Sequence, residues 1–181
     1  MTIPSTAANL QLQNHVTPER PISLLQSGQL LVIAAYSRGG MIIQKQHFAE
    51  IAGPGCAIGG VFDLACTKVH LLGDVQVAAP NMKAERVEAF RMRLNYSRKQ
   101  QALVTEPSSL KRSVLMLRQL IKWVGIEEVG KIPSDLVAQL AATVPSTIVT
   151  AQRYLQQCHL NQPHSVQQSA AMLTPIKLAN Q

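Results

Sequence analysis

Residues 134–153 read SDLVAQLAATVPSTIVTAQR, and their spacing decides the reading of the whole chain. Ser134, directly after Pro133, is placed to cap a helix whose inward positions are Val137, Ala138 and Ala141. A second helix starts at Pro145-Ser146, because a proline in the first turn gives up an N–H that has no intrahelical acceptor anyway. Its inward positions are Ile148, Ala151, Gln152 and Leu155. Two tightly crossing helices need a small residue where their axes approach, and Ala138 supplies it. The turn needs a small residue that tolerates unusual backbone angles, and Ala142 stands there. A β-branched residue then packs beneath the second helix, and Ile148 is in place. Small at 138, small at 142 and branched at 148 is the spacing of the DNA-binding helix-turn-helix. An ordinary helical hairpin is the competing reading of the same pattern.

Upstream, Ser109 after Pro107-Ser108 is placed to cap a helix over LKRSVLMLRQLIKWVG. Leu110, Val114, Leu117, Leu120 and Ile121 form its apolar stripe, and Gly125 is placed to stop it. Asn81 can cap an earlier helix through MKAERVEAFRMRL, with Val87, Phe90 and Leu94 at helical spacing. Its other faces carry Lys83, Arg86, Arg91 and Arg93, with Arg98 and Lys99 just beyond. A solvated basic face is the ordinary outcome for such a helix.

Before Pro80 the texture is that of strands. Gln29–Tyr36 and Met41–Gln46 flank Ser37-Arg38-Gly39-Gly40, which predicts a hairpin. Phe48–Gly60, Val61–Cys66, Lys68–Leu72 and Asp74–Pro80 follow as short strands punctuated by Gly-Pro-Gly, Gly-Gly and Gly73. Short strands at this spacing predict an antiparallel sandwich or barrel. Residues 1–22 are polar, carry Pro4, Pro18 and Pro21, and read as a flexible arm.

Composition narrows the function classes. The chain has 181 residues and a net charge of +7, which favours an anionic partner such as nucleic acid. Only 4% of residues are aromatic, so the core must be aliphatic. Cys56, Cys66 and Cys158 are too scattered for a zinc or iron–sulfur site and read as reduced thiols of a cytoplasmic protein. The N-terminus lacks the pattern of a signal peptide, and no apolar run reaches the length of a membrane span. No P-loop, nucleophile elbow or HExxH is present, and His15, His47 and His70 are dispersed, so no enzyme and no cofactor is expected. Cys158-His159 with His164 lacks a fourth metal ligand.

A family resemblance rests on the same segments. Ile132–Leu160 (IPSDLVAQLAATVPSTIVTAQRYLQQCHL) resembles the C-terminal DNA-binding region of the Crp/Fnr transcription regulators, and SVLMLRQLIKWVG looks like the helix that opens their winged domain. SGQLLVIAAYSRGGMIIQKQHFAEIAGPGCAIGG and KVHLLGDVQVAAPNMKAERVEAF resemble the sensor domain's strands and the start of its long helix. The similarity touches residues 27–160. It implies an α+β protein. A flexible arm (1–22) would precede a reduced, jelly-roll-like cyclic-nucleotide-binding-like β domain with a connecting helix (23–106). A winged helix-turn-helix domain (107–181) would follow.

The resemblance implies a DNA-binding transcription regulator acting as a homodimer on double-stranded DNA. The expected groove-facing residues are Ser146, Thr147, Thr150 and Arg153, with Lys131, Lys111 and Arg112 as phosphate contacts. Three departures matter. Gly60 stands where cyclic-nucleotide-binding members carry an acid, and Cys66-Thr67-Lys68 offers a lysine in place of their arginine, so no cyclic-nucleotide response is expected. The helix that joins subunits reads as shortened between Phe90 and Pro107. Pro145, Ser146 and Thr150 replace the family's charged base readers, which leaves shape and phosphate contacts to carry recognition. These departures keep open a second reading, an adaptor that binds RNA polymerase or another regulator instead of specific DNA. Residues 161–181 fit a wing strand (MLTPIKL) and a disordered tail equally.

Overall fold

β1 (Asn14–His15) and α1 (Pro21–Gln26) open the part of the chain that the computed structural model describes, residues 14–15 and 21–160. Most of the arm expected over 1–22, the segment 161–181 and the side chains of Cys158 and His159 lie outside the described residues. Next come β2 (Leu30–Ile33), β3 (Arg38–Gln44), β4 (Ala49–Ala52), β5 (Ala57–Gly59), β6 (Lys68–Asp74) and β7 (Gln76–Ala78). Four helices complete the order: α2 (Lys83–Val104), α3 (Ser109–Gly130), α4 (Ser134–Leu140) and α5 (Pro145–Leu160). The fold is mixed α+β, with two small antiparallel sheets ordered β1-β7-β2-β5 and β4-β3-β6.

The hairpin expected between β2 and β3 does not form. β2 pairs with β5 and β7 in one sheet, and β3 pairs with β4 and β6 in the other. The chain turns earlier, where the Ser37 N–H donates to the Ala34 C=O at 3.0 Å. Gly39 and Gly40 belong to β3 itself, opposite Gly73 and Leu72. Their role there is close approach: a Cβ on Gly39 would stand 1.9 Å from the Leu72 carbonyl oxygen.

Strand alternation sorts β3 onto two cores. Met41 and Ile43 pack with Leu25, Leu31, Ile33 and Ile58 between the sheets. Ile42 points the other way, into a cluster with Ile51 and Leu72 of its own sheet and Leu120, Val137 and Ile148 of the helices. The β4-β3-β6 sheet is therefore a middle layer, and one apolar cluster runs across both sides of the expected boundary at 106/107.

Residues 61–66 are not a strand. Gly60–Phe62 form a 3-10 turn, and the fully buried Asp63 accepts the Gly59 N–H at 2.8 Å. A local side-chain acceptor displaces the ladder bond a strand would need.

α2 is longer and faces differently than its apolar spacing predicts. It runs for 22 residues, to Val104 and well past Leu94 where the apolar spacing ends, about 33 Å at the usual helical rise. Its entry is set by Glu85, whose carboxylate accepts the N–H groups of Asn81 and Met82 at 2.8 and 3.2 Å. Ala89 and Arg93 are buried, while Val87 and Leu94 are 59% and 55% exposed. On that inward side Arg93 meets two carboxylates, Glu50 of β4 and Asp63 just after the 3-10 turn.

α3 is capped by Ser108, one residue before the expected Ser109, with its hydroxyl accepting the Lys111 N–H at 3.3 Å. Leu110 of the expected stripe is exposed, whereas Leu117 and Leu120 are buried. Gly125 does interrupt the helix, at φ 84° and ψ 166°, and a short helical stretch then continues to Gly130. In α4, Pro133 holds the cap position and Ser134 is the first helical residue.

Candidate nucleic-acid interface

α4 has only seven residues, so the geometry of its exit fixes where α5 points. The Thr143 N–H donates to the Ala138 C=O at 2.9 Å, and the Ala142 N–H to Gln139 C=O at 3.4 Å. That pair of bonds is a Schellman close, which demands a left-handed residue between them. Ala142 supplies it at φ 48°, the one non-glycine residue with positive φ among the described residues. Val144 then turns the chain, and α5 begins at Pro145. Ala138, Ile148 and Ala151 are buried between the helices, and Leu155 is nearly so. Gln152 lies half-buried at a cavity of about 110 Å³ lined by Leu117, Ile121, Ile126, Val129 and Leu155, beside the Gly125 bend.

The expected contact residues separate into two groups. Ser146, Thr150 and Arg153 are exposed on α5 and Thr147 is half-buried, all within its first nine residues. Thr150 donates its hydroxyl to the Ser146 C=O at 3.0 Å, a bond that reorients easily. The phosphate candidates lie elsewhere and are already engaged. Lys131 is ion-paired with Glu128, which raises it above the ordinary lysine value. Lys111 meets Glu106 at 2.7 Å and its hydrogen bond lowers the Glu106 carboxyl. The Lys131 pair is exposed and the Lys111 pair only partly covered at Glu106, so both break at little cost. Arg112 differs, since its donors end on the carbonyls of Glu106, Pro107, Ala141 and Ala142. Arg118 and Lys122 of α3 are exposed with no ion pair described, as is Arg153.

The sequence reading missed the polar centre of the molecule. Arg93, placed among the basic residues of α2, is buried and forks onto Asp63 through bonds of 3.0 and 3.1 Å. It also donates to Glu50 and to the Ala57 C=O. Lys45 joins at 3.0 Å from Glu50 and 3.6 Å from Asp63. Two cations and two carboxylates balance, so the cluster holds α2 on the sheets and offers no free charge to a ligand. Its one local signal is an acid inside the apolar run Val61–Cys66. Cys56 and Cys66 are buried free thiols, and burial raises the Cys56 thiol to about 11, which leaves it unreactive.

Among the described residues no cluster of three or more metal-binding side chains occurs. No described helix is long and apolar enough to cross a membrane. Comparison with known proteins returns no matching family model, no similar curated protein and no similar solved structure.

Proposed function

We propose that the protein is a DNA-binding transcription regulator of Crp/Fnr-like type that works in the cytoplasm without a cyclic nucleotide, α4 and α5 forming its helix-turn-helix and α5 its recognition helix. The observation that carries this reading is the left-handed Ala142 turn. It joins two helices packed through Ala138, Ile148 and Ala151, and leaves the polar N-terminal half of α5 open. Ser146, Thr147, Thr150 and Arg153 enter the major groove, and Lys131 and Lys111 exchange their carboxylates for phosphates. With Arg153 the single lysine or arginine of α5, affinity comes mainly from phosphate contacts and duplex shape. The β-rich half is a reduced sensor-like sandwich.

Duplex affinity measured against salt tests the reading. We expect log K to fall with log salt at about 0.9 per phosphate neutralised. Arg153→Ala is expected to weaken binding about tenfold, the size of one good base or phosphate contact. A flat salt response, or Arg153→Ala and Thr150→Ala both binding like wild type, sinks this surface.

We infer a homodimer with its seam on α2. Val87, Phe90 and Leu94 repeat at helical spacing on its exposed side, and Phe90 is braced edge-on by Phe62 at 5.5 Å between ring centroids. Two copies of this stripe pack antiparallel or parallel as a seam that presents paired recognition helices to paired half-sites. Leu94→Glu is expected to convert the dimer to monomer in sedimentation with the circular dichroism of the fold intact. A wild-type monomer at tens of micromolar would count against the seam.

One observation favours the second reading, a protein-binding adaptor. Val144, Val149 and Tyr154 expose 57%, 37% and 51% of their surface on or beside α5. Buried against RNA polymerase or another regulator, they act as apolar anchors. Absence of duplex binding at low salt, together with a co-purifying protein whose binding Tyr154→Ala weakens, would support this reading.

A further inference from the structure

The last carbonyls of a helix have no intrahelical donor, and a seven-residue helix has little else to hold its end in place. At the end of α4 these carbonyls are met by side chains from two other helices. Gln100 of α2 donates to the Leu140 C=O at 3.2 Å. Arg112 of α3 donates through Nε to Ala141 C=O at 3.1 Å and through Nη2 to Ala142 C=O at 2.9 Å. Its Nη1 reaches the α2–α3 turn, at 2.7 Å from the Glu106 C=O and 3.3 Å from the Pro107 C=O. One guanidinium thus ties the turn after α2 to the turn after α4. The turn it grips is the strained one. An alanine at φ 48° persists only where its surroundings over-determine it.

We propose that Arg112 is a positioning residue: it holds the left-handed Ala142 turn and so sets the direction of α5, and it does not contact phosphate. The inference rests on the reading of α5 as the recognition helix. A planar fork with donors on three nitrogens spans both turns at once. A lysine, with one nitrogen, keeps the charge and loses the span. A phosphate contact and a clamp therefore part company at Arg112→Lys, which preserves the first and breaks the second, and in the salt slope of Arg112→Ala.

The test compares Arg112→Lys and Arg112→Ala with the wild-type chain, in duplex affinity across a salt series and in amide exchange at Ala142 and Thr143. For a clamp, both variants lose about tenfold or more in affinity with the salt slope unchanged, and both turn amides exchange about tenfold faster. The emission of Trp123 stays as in the wild type and shows the core intact. For a phosphate contact, Arg112→Lys binds like the wild type and the slope of Arg112→Ala falls by about 1. Exchange at the turn is then unaltered, and the proposal is overturned. Should the wild type bind no duplex, the DNA reading fails while exchange still decides the clamp, faster turn amides supporting it and unchanged ones refuting it. Should Arg112→Ala not fold, the Arg112→Lys arm carries the decision alone.

Discussion

Asp63→Ala is expected to destabilise the protein by about 3–5 kcal/mol, the usual result of removing one partner from a buried ion pair. Asp63 is fully buried, its two oxygens accept three hydrogen bonds from the Arg93 fork and the Gly59 N–H, and the Lys45 charge lies 3.6 Å away. Removing it leaves the Arg93 guanidinium, only 10% exposed, beside Glu50 alone and strips the Gly59 amide of its acceptor. The loss should be largely specific to charge imbalance. Pairing Asp63→Leu with Arg93→Met removes both charges and is expected to recover much of the stability, because well-packed apolar side chains replace buried ion pairs at little or no cost. Equal melting temperatures for wild type and Asp63→Ala would sink the account. The cluster also gives acid sensitivity. Burial alone would raise the Glu50 carboxyl, but the Arg93 and Lys45 charges outweigh it and hold it below the ordinary glutamate value. A depressed carboxyl contributes stability that is complete above its unfolded pKa and disappears as pH falls through the lower folded one. Chemical denaturation between neutral pH and the acid range should show that fall, and Glu50→Gln should flatten it.

The cluster also marks what was legible in the sequence. Spacing at 138, 142 and 148 placed two helices, their buried residues and the unusual turn, because those features are local: a small residue at a crossing, a left-handed alanine, proline in a first turn. The strand-like run Met41–Gln46 falls largely in β3, which runs from Arg38 to Gln44 and takes in the glycines expected to turn. Partnership was not legible. Gly39-Gly40 carries the composition of a hairpin turn, and only the neighbouring β6 backbone, 1.9 Å from a Cβ at residue 39, shows that the glycines admit a close strand. Val87, Phe90 and Leu94 have the spacing of an inward stripe. They lie on the outer side of α2, and Ala89 and Arg93 take the inward side, where Arg93 meets Asp63 and Glu50, partners far off in sequence. Among the expected contact residues, Ser146, Thr150 and Arg153 are exposed together on α5. Arg112 is spent on carbonyls that composition cannot reveal.

Gly53→Ala should destabilise by about 1–3 kcal/mol, the range for forcing a methyl into a filled site, and should move the emission of Trp123. A Cβ at residue 53 would lie 2.3 Å from the Tyr96 hydroxyl, 2.5 Å from its Cζ and 2.7 Å from Trp123 Cη2. Those rings, 5.5 Å apart at a 72° angle, come from α2 and α3 and sit on the glycines of the middle sheet. Gly40 seats the same indole, 2.8 Å from where its own Cβ would be. The substitution therefore pushes both long helices off the sheet together, and Tyr96→Phe, which removes the nearest atom, should restore part of the loss. Trp123 is the single tryptophan of the chain, so its fluorescence watches this seam directly. Because the apolar cluster that contains Leu120 and Ile148 also contains Ile42 and Leu72, opening the seam splits a core that the helices share with the middle sheet. Tryptophan emission and far-ultraviolet circular dichroism should accordingly lose signal in one coincident transition, in the wild type and in Gly53→Ala alike. Two separated transitions, with emission changing first and helix content later, would mean that the helices hold together without the sheet and that Gly53 matters only to their docking.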